Sequence, residues 1–287
     1  RPISSSILTK IREKFEVEMT YNSNAIEGNS LTLKETYWIL REGITVKDKP
    51  LKDHLEAKNH LEALDFLFDL VSEKNISISD HLIRQIHQLV VMDTQRDIAG
   101  KYRDGEVYIA GADHVPPPFF EIKSKMQDLI KWWISNEKKL HPVELAALLH
   151  HKFVAIHPFW DGNGRTGRLL MNIIILRAGY PLAIILKNDR KRYYRVLAEA
   201  DKQKYKPLCE FLAQAVIRSL TVYLKVLAPA YNSEEKLVSL KMLSKKSDYS
   251  PAYLRKLALS GQVESVKQGR NWYSSEKSLN NYLKSIK

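Results

Sequence analysis

His157-Pro158-Phe159-Trp160-Asp161-Gly162-Asn163-Gly164-Arg165-Thr166-Gly167-Arg168 is the densest run of chemistry-bearing residues in the chain. It reads as a loop between two helices. Leu145, Leu149, Phe153 and Ile156 mark an apolar face before it, and residues 169–176 continue an apolar helix after it. Gly162, Asn163 and Gly164 let consecutive backbone N–H groups converge at the start of the second helix, an arrangement that binds anions. Arg165 and Arg168 lie three apart, share a helix face and are spaced to grip two successive phosphates. Asp161 offers a hard oxygen ligand suited to Mg²⁺, which bridges phosphates and keeps several waters. His157 has the ordinary pKa of a general base. A lone Gly-x-Gly would read as a structural loop whose arginines only form salt bridges. Here an anion cradle, a metal ligand and a base stand within twelve residues, which points to a group-transfer site. No Gly-Lys-Ser/Thr follows the glycines, so a Walker A loop is excluded.

Outward from this loop, most of residues 1–230 follows a helical rhythm. Residues 7–26 predict one amphipathic helix, with Gly28 placed to stop it. Thr32 and Glu35 form a capping box for a second helix through Leu40. A third spans about 52–71, a fourth runs from the Ser79 cap to Val91, and a fifth covers 120–137. One stretch breaks the pattern. In residues 100–111 an Asp104-Gly105 turn signal stands between β-prone flanks, which predicts a short β-hairpin ended by Pro116, Pro117 and Pro118. Most of the scattered His54, His60, His81, His87, His114 and His141 read as surface or core-edge residues. His150 and His151 are adjacent and so point to different helix faces.

Beyond Pro229 the style changes. Residues 237–243 read as a helix, and Ser250-Pro251 opens another that Gly261 stops. Residues 263–266 and 271–274 alternate like two strands around Gly269, and a last helix covers 276–286. The order helix, turn, helix, two-stranded wing, helix describes a winged helix-turn-helix. The organisation expected is N-terminal helices over 1–90, a core with hairpin and catalytic loop over 91–229, and a small domain over 230–287.

Composition narrows the class. Of 287 residues 44% are hydrophobic and 27% charged, which rules out a disordered or collagen-like chain. No apolar run reaches the ~18 residues of a membrane span, and the N-terminus lacks the order of a signal peptide. Cys209 is the only cysteine, so internal disulfides and multi-cysteine metal sites are excluded. A cytoplasmic protein is expected. The net charge is +12, and residues 233–287 supply about half of it with eleven Lys/Arg against five Asp/Glu. An excess of this kind suits a polyanion.

The loop resembles the signature of the Fic (filamentation induced by cAMP) family, His-x-Phe-x-Asp/Glu-Gly-Asn-Gly-Arg-x-x-Arg, at every fixed position. The resemblance extends through His150-His151-Lys152-Phe153 before it, and through Leu169-Leu170-Met171-Asn172 and Gly179-Tyr180-Pro181 after it. It covers roughly residues 20–215. It implies a mainly α, Fic-type helical domain and transfer of AMP from ATP to a Ser, Thr or Tyr hydroxyl of a target protein. His157 would be the base and Asp161 the Mg²⁺ ligand. Gly162, Asn163, Gly164, Arg165, Thr166, Gly167 and Arg168 would surround the phosphates, and Phe159 would anchor the loop. Tyr193 and Tyr194 would line the adenine pocket, although Asp201 stands where relatives often have Asn. The hairpin would be a flap, with Val107, Tyr108, Ile109 and Ala110 along the nucleotide and the target segment.

Ser23 and Glu27 are four apart and on one helix face. By spacing alone Glu27 is an exposed carboxylate at a helix end. The run Ser23-Asn24-Ala25-Ile26-Glu27-Gly28 also resembles the Fic inhibitory motif, in which the glutamate pairs with the second arginine, here Arg168. The tail resembles a winged helix-turn-helix of the excisionase/MerR kind and adds the expectation of a bacterial protein. Two partners suit that tail: DNA, or protein, including a second copy of this chain in a homo-oligomer. The alternative function is therefore a DNA- or protein-binding regulator whose Fic domain serves a regulatory or self-modifying role.

Overall fold

In the computed structural model, which describes residues 5–73, 78–109, 113–227, 237–245, 247, 249–260, 262–263, 265–268 and 271–285, residues 1–227 and 228–287 form two compact units. The first unit opens with α1 (Ser5–Ile26). Ile11, Phe15 and Met19 recur every fourth residue and all three are buried. Gly28 ends the helix with φ +103°, and the Asn29 N–H returns to the Asn24 carbonyl at 3.1 Å. The expected capping box of Thr32 and Glu35 opens α2 (Leu33–Arg41). α3 (Leu51–Ser72) and α4 (Asp80–Val91) follow, the latter capped by Ser79. α5 (Ile122–Asn136) and α6 (Pro142–Ile156) lead into the catalytic loop. α7 (Asn163–Arg177) leaves it and is buried almost all round, packed against α6, α3, α4 and α1. α8 (Arg190–Asp201) and α9 (Lys206–Leu227) complete the unit. One apolar cluster runs through α1 and α3–α9. Each fully buried Leu, Ile or Phe in it is worth ~1.5–3 kcal/mol, and the loop between α6 and α7 is mounted on two helices of this core.

Of the expected β-hairpin at 100–111, the described residues 101–109 carry no strand, and 110–112 lie outside the described residues. Its backbone groups have other partners. The Arg103 N–H donates to the Pro158 carbonyl at 2.9 Å, and the Arg103 side chain takes up the Gly105 carbonyl at 2.8 Å. Groups that a ladder would pair across the turn are spent on the catalytic loop and on a guanidinium.

In the second unit, β1 (Val238–Ser239) precedes α10 (Leu240–Ser244) and α11 (Pro251–Leu259), then β2 (Ser265–Gln268), β3 (Asn271–Ser274) and α12 (Glu276–Ser285). The sheet is antiparallel in the order β1-β3-β2, with Val266 opposite Tyr273. The first helix starts later than its apolar pattern suggests, because Val238 and Ser239 pair with Ser274 and Tyr273 and Ser239 then caps α10. Leu240, Leu243, Leu254, Leu257, Val263 and Leu279 form a separate small core.

Candidate active site

His157 sits at the C-cap of α6 in the left-handed region (φ 50°, ψ 58°), a conformation that costs a non-glycine residue ~1–2 kcal/mol. Its Nδ1 lies 3.3 Å from the Val154 carbonyl. With the proton on Nδ1, the Nε2 lone pair is the one left to accept. Burial holds the imidazole below its ordinary pKa, and the charge of Arg103 acts in the same direction against the Val154 contact. The ring is therefore neutral at pH 7. Two residues on, Phe159 is fully buried and lies flat on His87, with ring centroids 3.6 Å apart and planes within 1°. The Asn163 amide closes the loop on itself. Its Oδ1 accepts from the Phe159 N–H at 2.9 Å, and its Nδ2 donates to the Phe159 carbonyl at 2.7 Å. That side chain is thus a loop clamp, and Asn163 brings only its backbone to the start of α7.

Gly162 takes φ +74° as the N-cap of α7, which a side chain would resist. A Cβ on Gly164 would stand 2.2 Å from a Glu27 carboxylate oxygen, so the glutamate lies directly over the cradle. Both arginines are buried, at 2% and 1% exposure, and both face carboxylates. Arg165 lies 3.2 Å from Glu56 on α3 and 3.4 Å from Asp161. Arg168 donates from Nε to the Ser23 hydroxyl at 3.0 Å, and from Nη2 to the Ser23 carbonyl at 2.8 Å and Glu27 at 2.7 Å. Burial pushes the Arg168 pKa down, but Glu27 and Tyr193 together outweigh it, so the guanidinium stays charged. Asp161 shows the same balance with the sign reversed. Burial works against its ionised form, but Arg165, the Gly162 N–H at 2.5 Å and the Gln95 amide together lower its pKa.

The remaining expected residues divide. Gly167 turns away from the cradle, since a Cβ there would meet His150, Phe153 and Val154 of α6 at 3.0–3.1 Å. Thr166 is fully buried beside it. Tyr193 is also buried, its hydroxyl 2.6 Å from His150 Nε2, whereas Tyr194 is 42% exposed. Val107 and Ile109 are half-buried, Tyr108 is 88% exposed, and Ala110 lies outside the described residues. Asp201 accepts from His151 at 2.8 Å in the neutral or charged state of that ring. The reading of the histidines as peripheral is wrong for three of them. His54 is buried on α3, and His60 and His87 have no exposure at all. Their rings satisfy hydrogen bonds that the apolar environment would leave open: Thr20 with His60, and Gly100 and Asp161 with His87. Burial, reinforced by the nearby arginines, lowers His60 and His150 to about 3 and His87 to about 4.

A loop of this build can be compared with known proteins. The Fic/DOC family pattern matches residues 77–175. The chain is similar to the protein adenylyltransferase Fic of Nematostella vectensis, at 40% identity over 205 residues, 71% of this chain and 48% of that protein. It is also similar to a Fic domain containing signaling protein from Bacteroides thetaiotaomicron, whose crystal structure superposes with a TM-score of 0.74 at 31% identity, over 79% of this chain and 92% of that one. The chain belongs to the Fic/DOC family. Fic-1 from C. elegans is similar too, with a TM-score of 0.73 at 31% identity over 78% of this chain and 67% of that one. The chain spans about half the length of the curated Fic adenylyltransferases it matches.

Several residues that build this Fic site carry no motif. Glu56 on α3 supports Arg165 at 3.2 Å and is itself held at 2.9 Å by Asn29, the last residue of the Ser23–Asn29 run. A signal for them exists: Asp53, Glu56, Asn59 and His60 repeat at three- and four-residue spacing on the face that also carries Ala57, Ala63 and Leu64, and all are buried. Polar residues on the inward face of a helix require partners. Gln95, His87 and Arg103 act through tertiary contacts and have no such periodic signature.

Proposed function

We propose that this Fic protein is a protein adenylyltransferase, moving AMP from ATP to a hydroxyl of a target protein, and that Glu27 holds it in check. One observation carries the reading: two buried arginines at the N-terminal turn of α7 face carboxylates at the positions suited to phosphates. The curated relatives are named protein adenylyltransferase Fic, and the site chemistry agrees with that name. The Gly162–Gly164 backbone and the α7 dipole would receive the α- and β-phosphates, with Arg165 on the β- and Arg168 on the γ-phosphate. His157 Nε2 would take the proton of the target hydroxyl as its oxygen attacks the α-phosphorus and pyrophosphate departs. Asp161 fits Mg²⁺ as a single ionised carboxylate, with phosphates and waters completing the shell; when bound, the ion would neutralise charge between the phosphates. Among the described residues no cluster of three His, Cys, Asp or Glu forms a metal site without them. Tyr194, Val107, Tyr108 and Ile109 remain free to line the nucleotide, whereas Tyr193 positions His150. Glu27 occupies the partner of the γ-phosphate, so ATP would bind with its α-phosphorus off line.

A second reading concerns residues 230–287 as a winged helix-turn-helix that contacts DNA. The order of α10, α11, β2, β3 and α12 supports it, as do the exposed Tyr253, Arg255 and Lys256 on α11. No helix among the described residues is long and apolar enough to cross a membrane. The decisive test is a Glu27→Gly variant given labelled ATP and Mg²⁺ in a bacterial lysate, with mass spectrometry of labelled proteins. An AMP adduct on a Ser, Thr or Tyr side chain is expected. Transfer of a different group, or ATP binding with no transfer, would refute the activity.

A further inference from the structure

We infer that Arg103 is a positioning residue of the transfer site, its guanidinium locking the backbone of the base to the segment that lines the mouth. The inference rests on the adenylyltransferase reading for the reaction it serves. Arg103 is only 3% exposed, yet among the described residues its ion pairing is limited to one long contact. That partner, Glu106, is 3.8 Å away and more than half exposed. Its three guanidinium nitrogens are instead spent on three backbone carbonyls. Nε donates to His157 at 2.9 Å, Nη1 to Gly105 at 2.8 Å and Nη2 to Pro117 at 2.5 Å. The Arg103 N–H adds the Pro158 carbonyl at 2.9 Å. Burial lowers the Arg103 pKa, so the cation is held at a desolvation cost.

The three carbonyls belong to three segments of the chain: the catalytic loop, the segment at 105, and the proline run. One is the carbonyl of the base itself. His157 is in the left-handed region, where its ψ of 58° aims that carbonyl, and the Nε contact holds it there. A planar fork with three fixed donor directions fits this arrangement, and a single ammonium does not. A second tie runs in parallel. Trp160 Nε1 donates to Asp104 at 3.2 Å, and its ring fills the space a Gly105 Cβ would need, 2.8 Å away. Arg103 itself touches neither the phosphate cradle nor the arginines there. Its role is to keep the base and the mouth in register, where a displacement on the order of 1 Å costs ~100-fold in rate.

The test uses Arg103→Lys and Arg103→Met in the Glu27→Gly background. Three quantities are measured: ATP affinity by calorimetry, the rate of AMP incorporation, and amide hydrogen exchange by mass spectrometry. Both variants are expected to bind ATP within about twofold of the parent and to lose ~100-fold in rate. Exchange should quicken in 103–109 and 157–163 and remain unchanged in α3 and α9. Full rate in Arg103→Lys would mean that charge alone matters and would overturn the inference. So would exchange that rises throughout the unit, the mark of a merely structural residue, or exchange that does not change. If the parent itself transfers no AMP, the adenylyltransferase reading fails, while the exchange pattern still decides whether Arg103 ties the two segments together.

Discussion

Acidification from pH 7 to pH 5 should cost this protein much of its stability, through three histidines that surround the arginines. His60, His87 and His150 are buried and neutral, with pKa values of about 3, 4 and 3. In the unfolded chain each returns to about 6.5. Their folded values are depressed, so between pH 6.5 and 4 the unfolded state binds protons that the native state refuses. Stability therefore rises with pH, is complete above about 6.5, and drains away as pH falls below it. At pH 5 the native rings remain unprotonated, so the loss depends on the unfolded value alone. Each unit below 6.5 costs ~1.4 kcal/mol per ring, or ~2 kcal/mol each at pH 5. The three together remove ~6 kcal/mol, against a total of ~5–15 kcal/mol for a domain. Urea denaturation at pH 7, 6 and 5 reads this directly as a falling midpoint with unchanged slope. His60→Gln should remove about a third of the pH dependence. A midpoint that stays constant from pH 7 to 5 would refute the burial and neutrality of these rings.

Other outcomes follow from the same geometry. His157→Ala should abolish AMP transfer, a loss of at least ~10²–10⁴-fold, while calorimetry finds ATP binding nearly intact. The transfer rate of the active variant should hold steady from pH 8 to 6.5, and fall only as acid protonates His157 below its ordinary pKa, because burial has lowered it. Glu27→Gly should lower the thermal midpoint, since it strips a carboxylate from Arg168 yet leaves two Ser23 acceptors. Glu27 is about a third exposed, so screening limits the loss to ~1–2 kcal/mol, roughly 2–8 °C by differential scanning fluorimetry. Gly164→Ala places a methyl in the cradle and should weaken ATP binding ~10-fold, or ~1.4 kcal/mol, without releasing activity. For the tail, gel shifts with duplex DNA should weaken steeply with salt, and removal of Arg255 and Lys256 should flatten the log–log slope by ~1.8.

The helices were legible because their periodicity and caps are local. Thr32 and Glu35, Ser79, and the apolar spacing of α1 each act within a few residues. The loop was legible because Gly162, Arg165 and Arg168 lie within one turn or two of each other. The pairing of Arg168 with Glu27 crosses more than 140 residues and is suggested only by the family motif, and the Arg168 bonds to Ser23 are visible only in the structure. What escaped the sequence depends on where the chain returns in space. Residues 101–109 have the propensity of a hairpin, but the Arg103 N–H is drawn to the Pro158 carbonyl and its guanidinium takes the Gly105 carbonyl, and no strand forms in these residues. His60 and His87 look like scattered polar residues until α3 and α4 bury them behind the loop. Asn163 fits the family motif as a phosphate ligand, and only the reciprocal bonds with Phe159 reveal it as a clamp.

The most direct test of the account is incubation of wild type, Glu27→Gly and Glu27→Gly/His157→Ala with Mg²⁺ and ATP labelled at its α-phosphorus. Label should accumulate on the Glu27→Gly protein, with little on wild type and none on the double variant. Equal labelling of wild type and Glu27→Gly, or label that persists without His157, would contradict it.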